Sequence, residues 1–423
     1  MHPKALLELC TELVGLTLRF EHPTDATVAR FFREHKGLGP RERHTLTETV
    51  YAVLRKKLFF EHLAPSGSGA RARRLAILGF AAPRDFLVAA LTEQEFKWLG
   101  QCDQVQVRDL MERHRHNLPE WLVAPLKDQL QSGFWPLVES LGVGAGLDLR
   151  VNTLKAKRAQ VQAELSAGGV PCQPTPYSPW GLRLTGKPAL TRLEIFQRGD
   201  IEIQDEGSQL LALLLDARRG EMVVDFCAGA GGKTLAIGAS MRNTGRLYAF
   251  DTSAHRLDAI KPRLARSGLS NVHPAALAHE RDDRVKRLSG KIDRVLVDAP
   301  CSGLGTLRRN PDLKWRHDLK DIEAMAASQA AILQSAARLL KPGGRLVYAT
   351  CSMLRQENES VAEAFGAANA NFVPQDAVQV LADLGVESSE LLCTRACAGY
   401  GYLRLWPHLH GTDAFFAAIW QRK

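Results

Sequence analysis

No run of apolar residues in this 423-residue sequence approaches the ~18 that cross a bilayer as a helix, which excludes a helical membrane protein. Cysteine is scarce: the 8 residues form no paired CxxC arrangement, so a disulfide scaffold and a zinc ribbon are both excluded. Cys393 and Cys397 stand four apart, but no second pair or histidine cluster completes a ligand set, and no metal is expected. The 34 glycines have no triplet period, so the chain is not collagen-like. Basic residues exceed acidic ones by only 9, without a polybasic tail. Such an excess suits a polyanionic partner but does not require one. The N-terminal Met1-His2-Pro3-Lys4 leads into an acid-bearing helical pattern with Glu8 and Glu12 rather than a secretory leader. Unpaired thiols in such a chain fit a reducing cytoplasm, the compartment expected here.

What is present is ordinary globular material. Hydrophobic residues make up 45% of the chain, too many for extensive disorder. The length allows about two to four domains. Over residues 1–140, apolar residues recur at helical spacing, as in Leu6-Leu7, Cys10, Leu13-Val14 and again in Leu46, Val50, Val53-Leu54. Gly37–Pro40 and Pro65–Gly69 punctuate these helices. A second stretch, 141–199, opens on a strand-like Leu149–Leu154 and carries four prolines between 171 and 179, which predicts a small α+β connecting region. From about 200 to 423, strands alternate with helices: 222–226, 246–251, 292–298 and 345–350 read as strands, and 322–340 as a helix stopped by Lys341-Pro342-Gly343-Gly344. This alternation predicts a parallel, doubly wound α/β sheet, whose ligands bind at the carboxyl ends of the strands. No fixed-period repeat is present.

The chemistry gathers at those strand ends. Asp225 to Thr234 forms a Gly-rich turn between a strand and a helix, where backbone N–H groups can approach a ligand closely. Its Gly-Lys-Thr end invites a P-loop reading, but the position that needs the first glycine holds Cys227. Asp251 ends the next strand, placed to accept ribose hydroxyls or simply to cap a helix. With the turn before it, a nucleoside-containing cofactor is the better reading, and a nicotinamide cofactor stays open. The third and fourth strands end in Asp298-Ala299-Pro300-Cys301-Ser302-Gly303 and Thr350-Cys351-Ser352. One such cysteine could be core filler. Two at neighbouring strand ends point to thiolate chemistry on an electron-poor carbon.

These segments resemble the Nop/Sun family of S-adenosylmethionine-dependent RNA cytosine-5 methyltransferases. The likeness extends to Leu149–Lys155, Gln204–Gln209, Asn310–Arg316 and Gly411–Phe416. Phe31–Arg33, Pro40–Arg43 and Val50–Arg55 are similar to the NusB-like domain of the family's bacterial 16S rRNA member. The resemblance implies a Rossmann-like class I methyltransferase domain, a small connecting region and an all-α, NusB-like, RNA-binding N-terminal domain. It implies S-adenosylmethionine over Cys227, Ala228, Gly229, Ala230, Gly231, Gly232 and Lys233, with its ribose on Asp251. It implies Cys351 as the nucleophile toward carbon 6 of cytosine, Cys301 as the group assisting release, and Asp298 on the polar edge of the base. Lys233 is a further candidate near the base, or else a helix-start lysine facing solvent. Arg308, Arg309, Lys314, Trp315 and Arg316 look like a substrate-side loop, with cations for phosphates beside an aromatic for stacking. The implied partner is rRNA, the 16S molecule or an assembling small subunit, acted on by a monomer.

Two positions depart from the family pattern. Ala230 stands where a proline commonly pre-sets φ, so a looser turn is expected. Leu277, Ala278 and His279 occupy the stretch that usually offers an Asp to the adenine, with Glu280 the nearest acid and Asp282 and Asp283 beyond. Two other readings remain. A DNA cytosine-5 methyltransferase uses the Pro-Cys residue as nucleophile, which leaves the Thr-Cys motif and the helical N-terminus unexplained. A non-catalytic assembly factor retaining the fold fits the departures but not the intact Asp298, Cys301 and Cys351.

Overall fold

A computed structural model of the chain describes residues 1–396 and 399–423. Cys397, and with it the Cys393–Cys397 spacing, falls outside the described residues. Among the described residues, no helix is long and apolar enough to cross a membrane. The chain divides into two compact units, Met1–Gly144 with Thr306–Asp318, and Ala145–Gly305 with Leu319–Lys423.

The first unit is helical, as its periodicity predicts. Helix Pro3–Thr17 buries Leu6, Leu7, Cys10, Leu13 and Val14 on one face, and Pro40–Arg55 buries Leu46, Val50, Val53 and Leu54. Pro3 and Pro40 sit in first helical turns, where their missing N–H costs nothing. A capping box, Thr92 with Glu95, starts the helix Glu93–Asp103. Several cations of this unit are engaged within it. Arg73 binds Glu8 and Glu95, Arg71 and Lys57 bind Glu61, and Arg74 donates to the carbonyls of Ala64 and Gly67.

The second unit holds two sheets. The small one is wholly antiparallel, in the order β2-β3-β1-β4, from β1 (Leu147–Val151), β2 (Cys172–Pro174), β3 (Gly181–Leu184) and β4 (Ile201–Ile203). The large one contains β5 (Met222–Asp225), β6 (Arg246–Asp251), β7 (Val272–Ala276), β8 (Ile292–Asp298), β9 (Leu340–Thr350), β10 (Phe372–Gln375), β11 (Cys393–Arg395), β12 (Gly401–Leu405) and β13 (Phe415–Arg422). Its order is β7-β6-β5-β8-β9-β13-β12-β11, with β10 also on β13. β7 to β9 are parallel, and β10 to β13 join antiparallel. Both faces are covered, so the central strands are apolar throughout. Val223 and Leu296 pack on one side; Val224, Val295 and Val297 pack on the other.

The order reverses between β5 and β8, which opens a crevice at their carboxyl ends. Three boundaries differ from the sequence reading. β4 completes the small sheet, so the connecting region runs past 199. Residues Thr306–Asp318 belong to the helical unit although they lie between β8 and β9 in the chain. The helix Leu319–Ala337 ends earlier than expected, because Leu340 already pairs with Ile292 as a strand and only Lys341–Gly344 loops out.

Candidate active site

The crevice is a cavity of about 840 Å³ lined by the Phe226–Ala230 turn, Lys233, Asp251, Leu277–Glu280, Asp298–Cys301 and Cys351. The glycine turn sits where the sequence predicts. Gly231 has φ +83°, and a Cβ there would lie 2.9 Å from Ile260, so the close turn needs glycine. The helix Gly232–Ser240 follows, and its first turn leaves backbone N–H groups free of intrahelical partners. The looser turn expected from Ala230 is restrained in another way. Arg263 donates to the Ala230 carbonyl at 2.6 Å, and the buried Arg150 of β1 donates to the Gly232 carbonyl at 2.7 Å. Two guanidiniums pin the loop where a proline ring commonly would.

Asp251 is buried, and its carboxylate accepts from the Gly229 N–H at 2.9 Å and the Ser253 N–H at 2.7 Å. The first bond ties the end of β6 to the glycine turn. Leu277 to Glu280 form the wall beyond it. Asp282 accepts from the Ala278 and Arg284 N–H groups and so caps a helix, while Asp283 pairs with Lys286. That leaves Glu280 as the acid of this stretch on the cavity wall.

Lys233 is not a solvent-facing helix start. Its Nζ lies 2.7 Å from Asp298 Oδ2 and 5.9 Å from the centre of the Phe415 ring. Burial works to strip its proton, and the Asp298 carboxylate more than offsets this, with help from Cys351, so its pKa lies above the ordinary lysine value. Cys301 and Cys351 meet: their sulfurs are 3.3 Å apart, and the Cys351 N–H donates to Cys301 Sγ at 3.4 Å. The hydrogen bond to Cys351, then burial, push the Cys301 thiol well above its usual range. Gly305 closes the arrangement. Its N–H donates to the Cys351 carbonyl at 2.8 Å, and a Cβ would lie 2.2 Å from the Ala414 carbonyl.

Several residues of the site escaped the sequence reading. Asp225 is fully buried beneath the turn, accepting from Thr234 Oγ1 at 2.7 Å, while its Oδ1 is unpartnered. Burial pushes its pKa up to about 7. Arg263 lies outside the quoted motifs, Arg150 sits within Leu149–Lys155 and Glu357 five residues past Ser352, but no spacing singles out any of the three side chains. The motif around Gln204–Gln209 does reach the one at Gly411–Phe416: Asp205 caps its helix through the Gly207 N–H and accepts from the Asp413 N–H at 3.1 Å.

The substrate-side loop is corrected in part. Of the two readings open for Trp315, a stacking surface or a ring packed beneath the loop, the structure shows the second: its Nε1–H donates to the Leu54 carbonyl at 3.1 Å and its ring packs on the helical core. Lys314 is buried, with Nζ 3.2 Å from the Arg55 carbonyl. Both are drawn inward because they satisfy the last carbonyls of helix Pro40–Arg55. Arg316 lies 3.6 Å from Asp312, and Arg308 donates to the Gly144 carbonyl at 3.2 Å. Arg309 is half-buried.

Lys314 carries a pH dependence. Burial, then the neighbouring Arg55 and Lys57, push its pKa down to about 7. Above that value the unfolded chain holds a proton that the folded chain lacks, up to the free-lysine pKa of about 10.4. Stability therefore rises with pH across this window. Chemical denaturation at pH 6 and pH 9 should show a gain for the wild type that Lys314→Met lacks. Parallel behaviour of the two proteins would show that no buried ammonium is involved.

Residues 212–421 match the family described as 16S rRNA methyltransferase RsmB/F, and 118–191 match the ferredoxin-like domain of the same group. A Bacillus subtilis relative, named probable ribosomal RNA small subunit methyltransferase B, is 31% identical over 421 residues, covering 98% of this chain and 90% of its own. The chain belongs to the RsmB/F family. The crystal structure of PH0851 overlays with a TM-score of 0.79 at 26% identity, covering 100% of this chain and 99% of that one. NSun6 from Pyrococcus horikoshii, solved with the S-adenosylmethionine analogue SFG, gives a TM-score of 0.62 over 72% of this chain and 98% of its own. At 22% identity that likeness speaks for the fold.

The large sheet is thus the Rossmann-like core of an RsmB/F methyltransferase, and S-adenosylmethionine is its cofactor. The cavity fits that molecule. A close-approach glycine turn, an anchored Asp251, Glu280 and the two thiols all line it. S-adenosylmethionine supplies an electrophilic methyl on a sulfonium; the chain's own residues hold it and prepare the acceptor.

Proposed function

We propose that this protein methylates carbon 5 of a cytosine in small-subunit rRNA, with Cys351 as the covalent nucleophile. The observation that carries the reading is the pair of sulfurs 3.3 Å apart on the wall of the cofactor cavity, which the Lys233–Asp298 ion pair also lines. Carbon 5 of cytosine is a poor nucleophile. Addition of the Cys351 thiolate to carbon 6 pushes the ring electrons toward N3 and O2 and makes carbon 5 enamine-like, ready to take the methyl. The negative charge that develops calls for a hydrogen-bond donor, and of the buried pair only Lys233 is one. Asp298, acceptor-only, suits the exocyclic amino group.

Release requires loss of the carbon 5 proton and rupture of the Cys351–carbon 6 bond. Cys301 holds a proton beside the departing sulfur. It can hand that proton to Cys351 and take the one from carbon 5, so the turnover releases one proton to water. The target base must leave its stack to reach the cavity. In this reading the helical N-terminal unit is NusB-like and contacts RNA.

The test is nucleoside mass spectrometry of a 16S rRNA transcript after reaction with the protein and S-adenosylmethionine. The expected product is 5-methylcytidine. Methyl on any other atom or base would exclude the thiolate route.

A further inference from the structure

Beneath the two cysteines lies a polar cluster with no solvent access. Ser302 and Ser352, the residues following Cys301 and Cys351, are 1% and 0% exposed, and Glu357 is 0% exposed. One Glu357 oxygen accepts from the Ser302 N–H at 2.8 Å and from Gln329 Nε2 at 3.0 Å. The other accepts from Ser302 Oγ at 2.6 Å and from Ser352 Oγ. Four donors converge on a group that, ionised, only accepts. The Tyr348 hydroxyl donates to the Glu357 carbonyl at 2.5 Å, and Asn358 holds the Ser352 carbonyl at 2.9 Å. The cation nearest this turn, the buried Arg404, is spent on the Ser352 and Met353 carbonyls and on Glu359.

We infer that Glu357 is a positioning residue that straps the Cys301 and Cys351 turns to one another and sets a buried carboxylate against the residue next to Cys301. The inference rests on the two-cysteine reading of the site and adds what makes the thiols unequal. A carboxylate bonded to both following serines fixes the two turns, and with them the 3.3 Å between the sulfurs. Its charge, felt in a dry interior, opposes a second negative charge on Cys301, and it is among the groups that raise that thiol. The other titratable groups facing the pair are Cys351 itself, Lys233 and Asp298 on the cavity side, and Tyr348 below; Glu359 is held by Arg404. None but Glu357 bonds to both turns.

The test uses full-length protein and two readouts. Alkylation by iodoacetamide, resolved per cysteine by mass spectrometry across pH 7–10, needs no RNA, so it stands whether or not cytosine methylation holds. Glu357→Gln is expected to move the Cys301 alkylation profile to lower pH, with at least tenfold faster labelling at pH 8. Single-turnover methyl transfer should fall at least tenfold while S-adenosylmethionine affinity stays within twofold. Ser352→Ala keeps the charge and cuts one strap, so it should slow methyl transfer and leave the Cys301 profile in place. An unmoved Cys301 profile in Glu357→Gln would overturn the electrostatic role, and wild-type transfer by Ser352→Ala would overturn the strap. Should Glu357→Gln lose cofactor binding, Ser302→Ala and Ser352→Ala decide the matter in the same assay: both slow, or the inference falls.

Discussion

Cys351→Ala should lose methyl transfer by on the order of 10⁴-fold or more, the scale on which an enzyme feels removal of its covalent nucleophile. The substitution deletes one sulfur at the end of β9 and little else. The backbone of Cys351 stays fixed by the Gly305 N–H on its carbonyl, and Ala349 and Thr350 before it are fully buried. S-adenosylmethionine binding, which we assign to the glycine turn and Asp251, should be unchanged in calorimetry. Cys301 is a poor substitute, because burial and the Glu357 carboxylate both favour its protonated thiol. Retention of even a tenth of the wild-type rate would mean that Cys351 is core filler and that the nucleophile lies elsewhere.

Lys233→Met comes next in size, with a loss of about 10²–10³-fold in the rate of the chemical step, the cost of deleting one preorganised donor at a site of developing charge. The mechanism of the loss has two parts. The ring loses the cation that balances charge arriving at N3 and O2. Asp298, 2.7 Å away, loses its ion-pair partner in a half-buried site. Methionine preserves the length and apolar contact of the lysine stem, so the packing near Phe415 survives. Single-turnover transfer at saturating S-adenosylmethionine isolates this step. A loss below threefold would return Lys233 to a structural role as the buried partner of Asp298.

Much of this was legible in the sequence because strand ends are marked by short, local signals. An apolar run that gives out at residue 225, 251, 298 or 350 announces both the strand and the turn presented beyond it, and Phe226, Asp251, Asp298 and Cys351 all line one cavity. The proline-free glycine turn was visible too, but its restraint was not. Arg150 and Arg263 reach it from other elements, and nothing in the spacing of the chain shows such a contact. Long-range pairing hid the fate of the segment after Cys301 for the same reason. Arginine, lysine and tryptophan side by side look like an RNA-facing loop until the Trp315 indole and the Lys314 ammonium are found satisfying carbonyls of Leu54 and Arg55, about 260 positions earlier in the chain. β7 escaped because it is an edge strand carrying His273 and Pro274, tolerated only where one side of the ladder is unpaired. Glu357 escaped because a single buried acid has no motif; its meaning lies in the two serines that converge on it.

The decisive measurement is a denaturing gel of three proteins incubated with labelled 16S rRNA and S-adenosylmethionine. Cys301→Ala should accumulate an RNA–protein adduct that survives denaturation, because attack by Cys351 proceeds and release fails. The wild type should show little, and Cys351→Ala none. An adduct with Cys351→Ala, or none with Cys301→Ala under conditions where the wild type methylates, would contradict the assignment of nucleophile and releasing group.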